Sequence, residues 1–220
     1  MSPTFERASR IEPKIKISFE NLRQLQDIES ALEMIKSGQN GARILSEIAR
    51  VSTGEKNLLI MDAGNGASET GGELTPVQES RYGLNLNTSP HQQYMKKLLE
   101  VSSNGEGAKS IIFYNPNISV GIDNDDHSWV VKTRKEAFVS LAHELIHAFH
   151  VMNGTSKAAG LNAIMNKNSP QKEEEDRATG IGRYAGSTFS ENGVRADHDL
   201  PLRASYFTKN GLENPCEYPR

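Results

Sequence analysis

Residues 143–147 read His-Glu-Leu-Ile-His, and no other stretch of the 220-residue chain restricts its fold so tightly. Two histidines four apart leave one helical face a turn apart, so their ring nitrogens can converge on a single Zn²⁺ with the intervening Glu144 beside the metal's open position. A pattern of five residues also arises by chance, so its surroundings have to support it. Thr133-Arg134-Lys135-Glu136 has the form of a capping box, which predicts a helix starting at about Arg134. On that helix Phe138, Leu141, Leu145, Ala148 and Met152 share one side and His143, His147 and His150 the opposite side, and Asn153-Gly154 supplies the stop.

A catalytic zinc takes three protein ligands and an exchangeable water, so a third ligand has to come from elsewhere. His150 lies two turns past His143, and ligation of one ion by all three helix histidines is strained. The segment from Ser169 to Gly180 opens with an N-cap serine and a proline and closes on glycine, predicting a short acidic helix. Taken alone, its acidic run reads as a solvated face that complements the helix dipole. Beside a zinc helix, one carboxylate from the run of Glu173, Glu174 and Glu175 would complete a His, His, Glu set.

The net charge is -3 with the basic residues scattered, which provides no footprint for nucleic acid or an anionic membrane. The single cysteine, Cys216, excludes an internal disulfide framework and a cysteine-rich metal site. No stretch approaches the length of an apolar membrane span, and the N-terminus lacks the apolar core of a Sec signal.

Residues 1–13 mix Ser, Pro, Arg and Glu without periodicity and read as a flexible leader, with one domain expected over 14–220. Ile15 and Ile17 alternate with lysines as in an edge strand. Leu22, Leu25, Ile28, Leu32 and Ile35 predict an amphipathic helix ended by Gly38 and Asn40-Gly41, and a second helix buries Ile44, Leu45 and Ile48. Asn57 to Asp62 reads as a strand, and Ala63 to Pro76, rich in Gly, Ser, Thr and Glu, as a loop. Ser89-Pro90 predicts the capped start of another helix, with Tyr94, Met95, Leu98, Leu99 and Val101 apolar. Lys109 to Tyr114 is the strongest strand signal, with Ser119 to Ile122 expected to pair with it, and Asp123 to His127 reads as a polar turn.

The stretch HELIHAFHVMNG, His143 to Gly154, resembles the zinc helix of clostridial neurotoxin light chains, the extra histidine at His150 included. Glu174-Glu175-Asp176-Arg177 resembles their Glu-Glu-x-Arg segment, and the resemblance implies Glu174 as third zinc ligand. The C-terminal half resembles still more closely the NleD-like zinc metalloproteases, effectors injected into host cells by type III secretion. Three ordered blocks carry this: HELIHAFH, EEEDRATGIG from Glu173 to Gly182, and SENGVRADHDLPLRASYF from Ser190 to Phe207. Together they span about residues 130–207, and the N-terminal half matches only weakly.

What these resemblances imply is an α+β, zincin-like fold in which N-terminal helices and a small mixed sheet pack around the central zinc helix. They imply an endopeptidase holding one Zn²⁺ through His143, His147 and Glu174. Glu144 is then the general base, Arg203 and Tyr206 bind the developing oxyanion, and Glu175 or Arg177 orients ligands. Glu191 and Asn192 read as structural, and His198 as a surface residue. Loops 63–76 and 180–188 are expected to border the cleft. The expected partner is a host protein, with mitogen-activated protein kinases as the family's precedent, met by a monomer in the host cytoplasm. Two rival readings are a binding effector with a structural zinc and a housekeeping metallopeptidase of the producing bacterium.

Overall fold

The computed structural model describes residues 3–122, 128–157 and 169–206. Cys216 and the Asp123 to His127 turn lie outside them. Phe5–Ala8 (β1) runs antiparallel to Ile15–Phe19 (β2), with Lys16 reaching back to Glu6 at 2.9 Å. Residues 5–8 of the stretch read as a leader thus supply one outer strand of the sheet, because their backbone groups find partners on β2. That strand is therefore not an edge: β1 covers it on one side, and Ile15 and Ile17 are fully buried.

Leu22–Ser37 (α1) is capped by the Asn21 side chain, which accepts from the Gln24 amide. Leu22, placed in the apolar face by its spacing, is exposed, whereas Leu25, Ile28, Leu32 and Ile35 are buried. Gly38 ends α1, but Asn40 and Gly41 lie inside the next helix, Gln39–Val51 (α2). A β-carbon at Gly41 would sit 1.9 Å from the Ile35 carbonyl oxygen, so glycine lets one helix start immediately where the other stops.

Leu58–Asp62 (β3) pairs in parallel with β2 on one side and with Lys109–Tyr114 (β5) on the other. The supposed loop between them contains Glu69–Glu73 (β4), antiparallel to β5 and outermost in the order β1-β2-β3-β5-β4. It is followed by Pro76–Tyr82 (α3), with a full Thr75–Gln78 capping box, and His91–Ser103 (α4). Ser89 caps no amide of α4; its hydroxyl accepts from the Asn85 amide instead. Ser119–Ile122 (β6) does not join β5. It pairs antiparallel with Ser128–Val131 (β7) in a separate two-stranded sheet.

Ala137–Met152 (α5) carries the two histidines and starts three residues later than its sequence predicts. Thr133 is occupied elsewhere: its amide donates to the Val131 carbonyl as the chain leaves β7, and its hydroxyl accepts from Lys135. The expected capping box is therefore absent. α5 packs against the sheet and against α1 and α2, burying Phe138, Leu141, Leu145, Ala148 and Met152 as its spacing requires, together with Val139, Ala142 and Ile146. Burial on nearly all sides is what fixes the histidines in space.

The connection from α4 to β5 is strapped across the end of this helix. Ala108 donates to the Val151 carbonyl at 3.1 Å, and Gly107, at φ +74°, passes so close that a β-carbon would lie 1.9 Å from the Met152 oxygen. Gly107→Ala is therefore expected to lower the unfolding free energy by about 3 kcal/mol, at the upper end of ordinary single substitutions and measurable by urea denaturation. Pro170–Thr179 (α6) follows, with Ser169 and Gly180 as its caps, and Glu191–Asp197 (α7) is capped by Ser190. Both lie against α5 and present acidic residues to its histidines. No helix among the described residues is long and apolar enough to cross a membrane.

Candidate metal centre

His143 and His147 stand one turn apart with their Nε2 atoms 3.0 Å from each other. Glu175 of α6 brings Oε2 to 3.2 Å from both. Four ligands around Zn²⁺ at about 2.0–2.1 Å have edges of about 3.3 Å, so these three atoms already form one face of such a tetrahedron.

Each imidazole is held from behind by a second carboxylate. His143 Nδ1 donates to Glu191 Oε2 at 3.0 Å, and His147 Nδ1 donates to Glu174 Oε1 at 3.2 Å. A neutral imidazole carries one N–H, so placing both protons on Nδ1 leaves both Nε2 atoms as bare lone pairs. Two lone pairs and a carboxylate oxygen then meet with no proton between them, an arrangement that calls for a cation. The donor set of two imidazoles and one carboxylate fits Zn²⁺.

With no metal in place, the same carboxylates favour a proton on these rings. Burial works against a charged His143, yet Glu175 and Glu191 push its pKa up to about 9. Burial likewise opposes a charged His147, and Glu175 and Glu174 still raise it well above its ordinary value. Burial would raise the carboxyls of Glu174 and Glu175, but the histidines hold both far below the usual carboxylate range. Each shift expresses one preference, for positive charge among these carboxylates.

The carboxylate facing both Nε2 atoms thus belongs to Glu175, whereas Glu174 was expected there. Glu174 is turned behind the pair, where it accepts from His147, from His150 Nδ1 and from the Lys157 amide at 2.9 Å. The reason is rotation: consecutive residues on α6 point about 100° apart, so only one of three adjacent glutamates can reach a given point. Glu173 points away altogether, to Lys157, Arg183 and the Tyr184 hydroxyl. Arg177 lies 3.8 Å from Glu174 and donates to the Thr155 carbonyl. His150 is buried against Phe149 and Phe189, and burial lowers its pKa.

Glu191 is buried and links the centre to α7. Its Oε1 accepts from Arg195 Nε at 2.8 Å, and its Oε2 accepts from His143 and from Arg203 Nη1 at 2.9 Å. Burial would raise this carboxyl, but Arg203, Arg195 and His143 hold it well below its usual range. Arg195 is fully buried and also reaches the Pro201 and Val120 carbonyls. The sequence reading took Glu191 and Asn192 as structural, and here they support His143 and Arg203. Their available signals are the i,i+4 spacing of Glu191 and Arg195 and the capping serine before them.

Arg203 is held by its backbone and its side chain. Asn192 accepts from its amide at 2.8 Å and donates to its carbonyl at 2.9 Å, while Nη2 donates to the Tyr206 carbonyl at 2.6 Å. The guanidinium lies 5.3 Å over the Tyr206 ring, which in turn stacks at 6.1 Å beside His143. Tyr206 thus lies beside His143, and Arg203 reaches that histidine's partner Glu191. The segment 180–188 borders a cleft of about 370 Å³ together with Asn192, Leu202 and Arg203. His198 is less exposed than expected, its ring lying edge-on 4.7 Å from Phe138.

Glu144, between the two histidines, is half-buried. The Thr70 hydroxyl of β4 lies 2.7 Å from its Oε2 and 2.9 Å from its backbone carbonyl. Nothing in the sequence around Thr70 announced this contact.

The chain is similar in fold to the light chain of Clostridium botulinum neurotoxin serotype F, with a TM-score of 0.50 and 15% identity over 84% of this chain and 68% of the toxin chain. A second structure, of the catalytic domain of the same serotype, gives 0.48 and 16% over 84% and 67%. At 15% identity the first likeness is one of fold, and it agrees with an α+β, zincin-like architecture. Comparison with curated protein sequences gives no match. The profile of peptidase family M91, described as effector protein, matches residues 23–206, a span that holds every residue of the centre described above. The chain belongs to this family of peptidase effectors.

Proposed function

We propose that this effector is a zinc endopeptidase in which His143, His147 and Glu175 hold one Zn²⁺. The observation that carries the reading is the meeting of three acceptor atoms on His143, His147 and Glu175, two of these residues buried, with the Glu144 charge acting on His147. Bound there, Zn²⁺ would supply a Lewis acid for the scissile carbonyl and an acidified water. Glu144 accepts the proton of the attacking water and passes it to the departing amine nitrogen, one carboxylate serving both half-reactions. Tyr206 and Arg203 bind the oxygen on which negative charge develops, with the ring held beside His143 by the Arg203 contacts. Glu191 and Glu174 fix the tautomers of the two histidines.

A structural zinc would need a fourth protein ligand. The nearby extra nitrogen, on His150, is directed to Glu174, which supports an open position at the metal. Membership of an effector family supports delivery into a host cell and a host protein as substrate, against a housekeeping role. Type III secretion and cleavage of a mitogen-activated protein kinase extend the same reading by the resemblance of the three sequence blocks.

Incubation of the protein with host lysate, followed by mapping of new N-termini, tests the activity and names the substrate. Stripping the metal with 1,10-phenanthroline is expected to abolish those cleavages, and one equivalent of Zn²⁺ per chain is expected to restore them. Cleavage that persists in metal-free protein would overturn the proposal.

A further inference from the structure

Strand β4 has the sequence Glu-Thr-Gly-Gly-Glu, a poor strand former that nevertheless pairs along its length with β5. Its glycines allow a close approach to the helices beneath. A β-carbon at Gly72 would already touch Leu98 and Val151 at 3.3 Å. Alternation along a strand puts Thr70 on the same face as Gly72, and Val151 and Glu144 share a face of α5 two turns apart. The approach that Gly72 permits at Val151 therefore brings the Thr70 hydroxyl down on Glu144.

We propose that Thr70 is a positioning residue for Glu144, its hydroxyl holding one carboxylate oxygen so that the other is presented for proton transfer. The inference rests on Glu144 being the general base. The hydroxyl has one proton and two acceptors within reach, Oε2 at 2.7 Å and the Glu144 carbonyl at 2.9 Å. The charged carboxylate is the stronger acceptor and takes it. The hydrogen bond to Oε2 ties the end of the Glu144 side chain to β4 and limits the torsions by which the carboxylate could swing off the metal centre. A base serves only in a near-attack geometry, where displacement of about 1 Å can cost up to about a hundredfold in rate.

Thr70→Val keeps the shape and removes the hydroxyl, whereas Thr70→Ser keeps the hydroxyl and removes a methyl group. Both are to be compared with the parent as zinc-loaded full chains on the host-lysate protein that the parent cuts. The valine variant is expected to lose about tenfold in kcat with KM and zinc affinity unchanged, and the serine variant to recover most of the loss. A crystal structure of the valine variant is expected to have the Glu144 carboxylate displaced or in two rotamers, a readout independent of turnover. Parental kcat in the valine variant, an unmoved Glu144, or an equal loss in the serine variant would each overturn the proposal. Unimpaired cleavage by Glu144→Gln would instead remove the general base itself, so the two failures are distinguishable.

Discussion

Glu144→Gln is expected to bind zinc as the parent does and to cleave its substrate at least about a hundredfold more slowly, within the range of general acid–base contributions. The substitution is nearly isosteric, and the amide oxygen can still accept from the Thr70 hydroxyl, so the side chain should stay in place. His143 and His147 keep their back partners Glu191 and Glu174, and Glu175 is untouched, so the metal site is preserved. What disappears is the ability to take a proton from water and return it to the amine. Metal content by mass spectrometry and cleavage rate, measured on one preparation, separate the two roles. Parental cleavage would exclude Glu144 as the base.

The second large effect distinguishes two neighbouring glutamates. Glu175→Gln should weaken zinc binding by more than about a hundredfold, because it neutralises the carboxylate that, among the described residues, faces both Nε2 atoms, whereas loss of an outer partner costs about tenfold to a hundredfold. Glu174→Gln should fall within that smaller range, since Glu174 meets the Nδ1 side of His147. The amide also leaves His150 and the Lys157 N–H with a weaker acceptor, which affects local packing more than the metal. Competition against a chromogenic chelator ranks the two variants. The reverse order would move the ligand back to Glu174, the residue that the sequence resemblance implied.

That one-residue difference shows where local sequence stops being informative. Three consecutive glutamates on α6 are chemically identical, and their different surroundings come from how the helix is rotated about its axis against α5. The same holds for Thr70. Its segment reads as a loop because Gly71 and Gly72 lower strand propensity, but pairing with β5 and the need for close approach to Val151 outweigh propensity. The Thr133 box fails in the opposite direction, a good local signal displaced by the exit from the β6–β7 hairpin. Residues 5–8, featureless alone, gain order from β2.

By itself the sequence determined the elements whose signals are local: the periodic faces of α1 and α2, the apolar strands β3 and β5, the caps of α6, and a helix with His143, Glu144 and His147 on it. It also carried the family likeness in three blocks. Only the tertiary structure decided which carboxylate meets the histidines, that Glu191 supports His143 while tied to Arg195 and Arg203, and that β4 brings Thr70 to Glu144. The physical reason is range. A repeat or a cap is set by residues three or four apart, whereas side chains that complete this centre meet across 12 to 74 residues, and their meeting depends on how helices and strands pack.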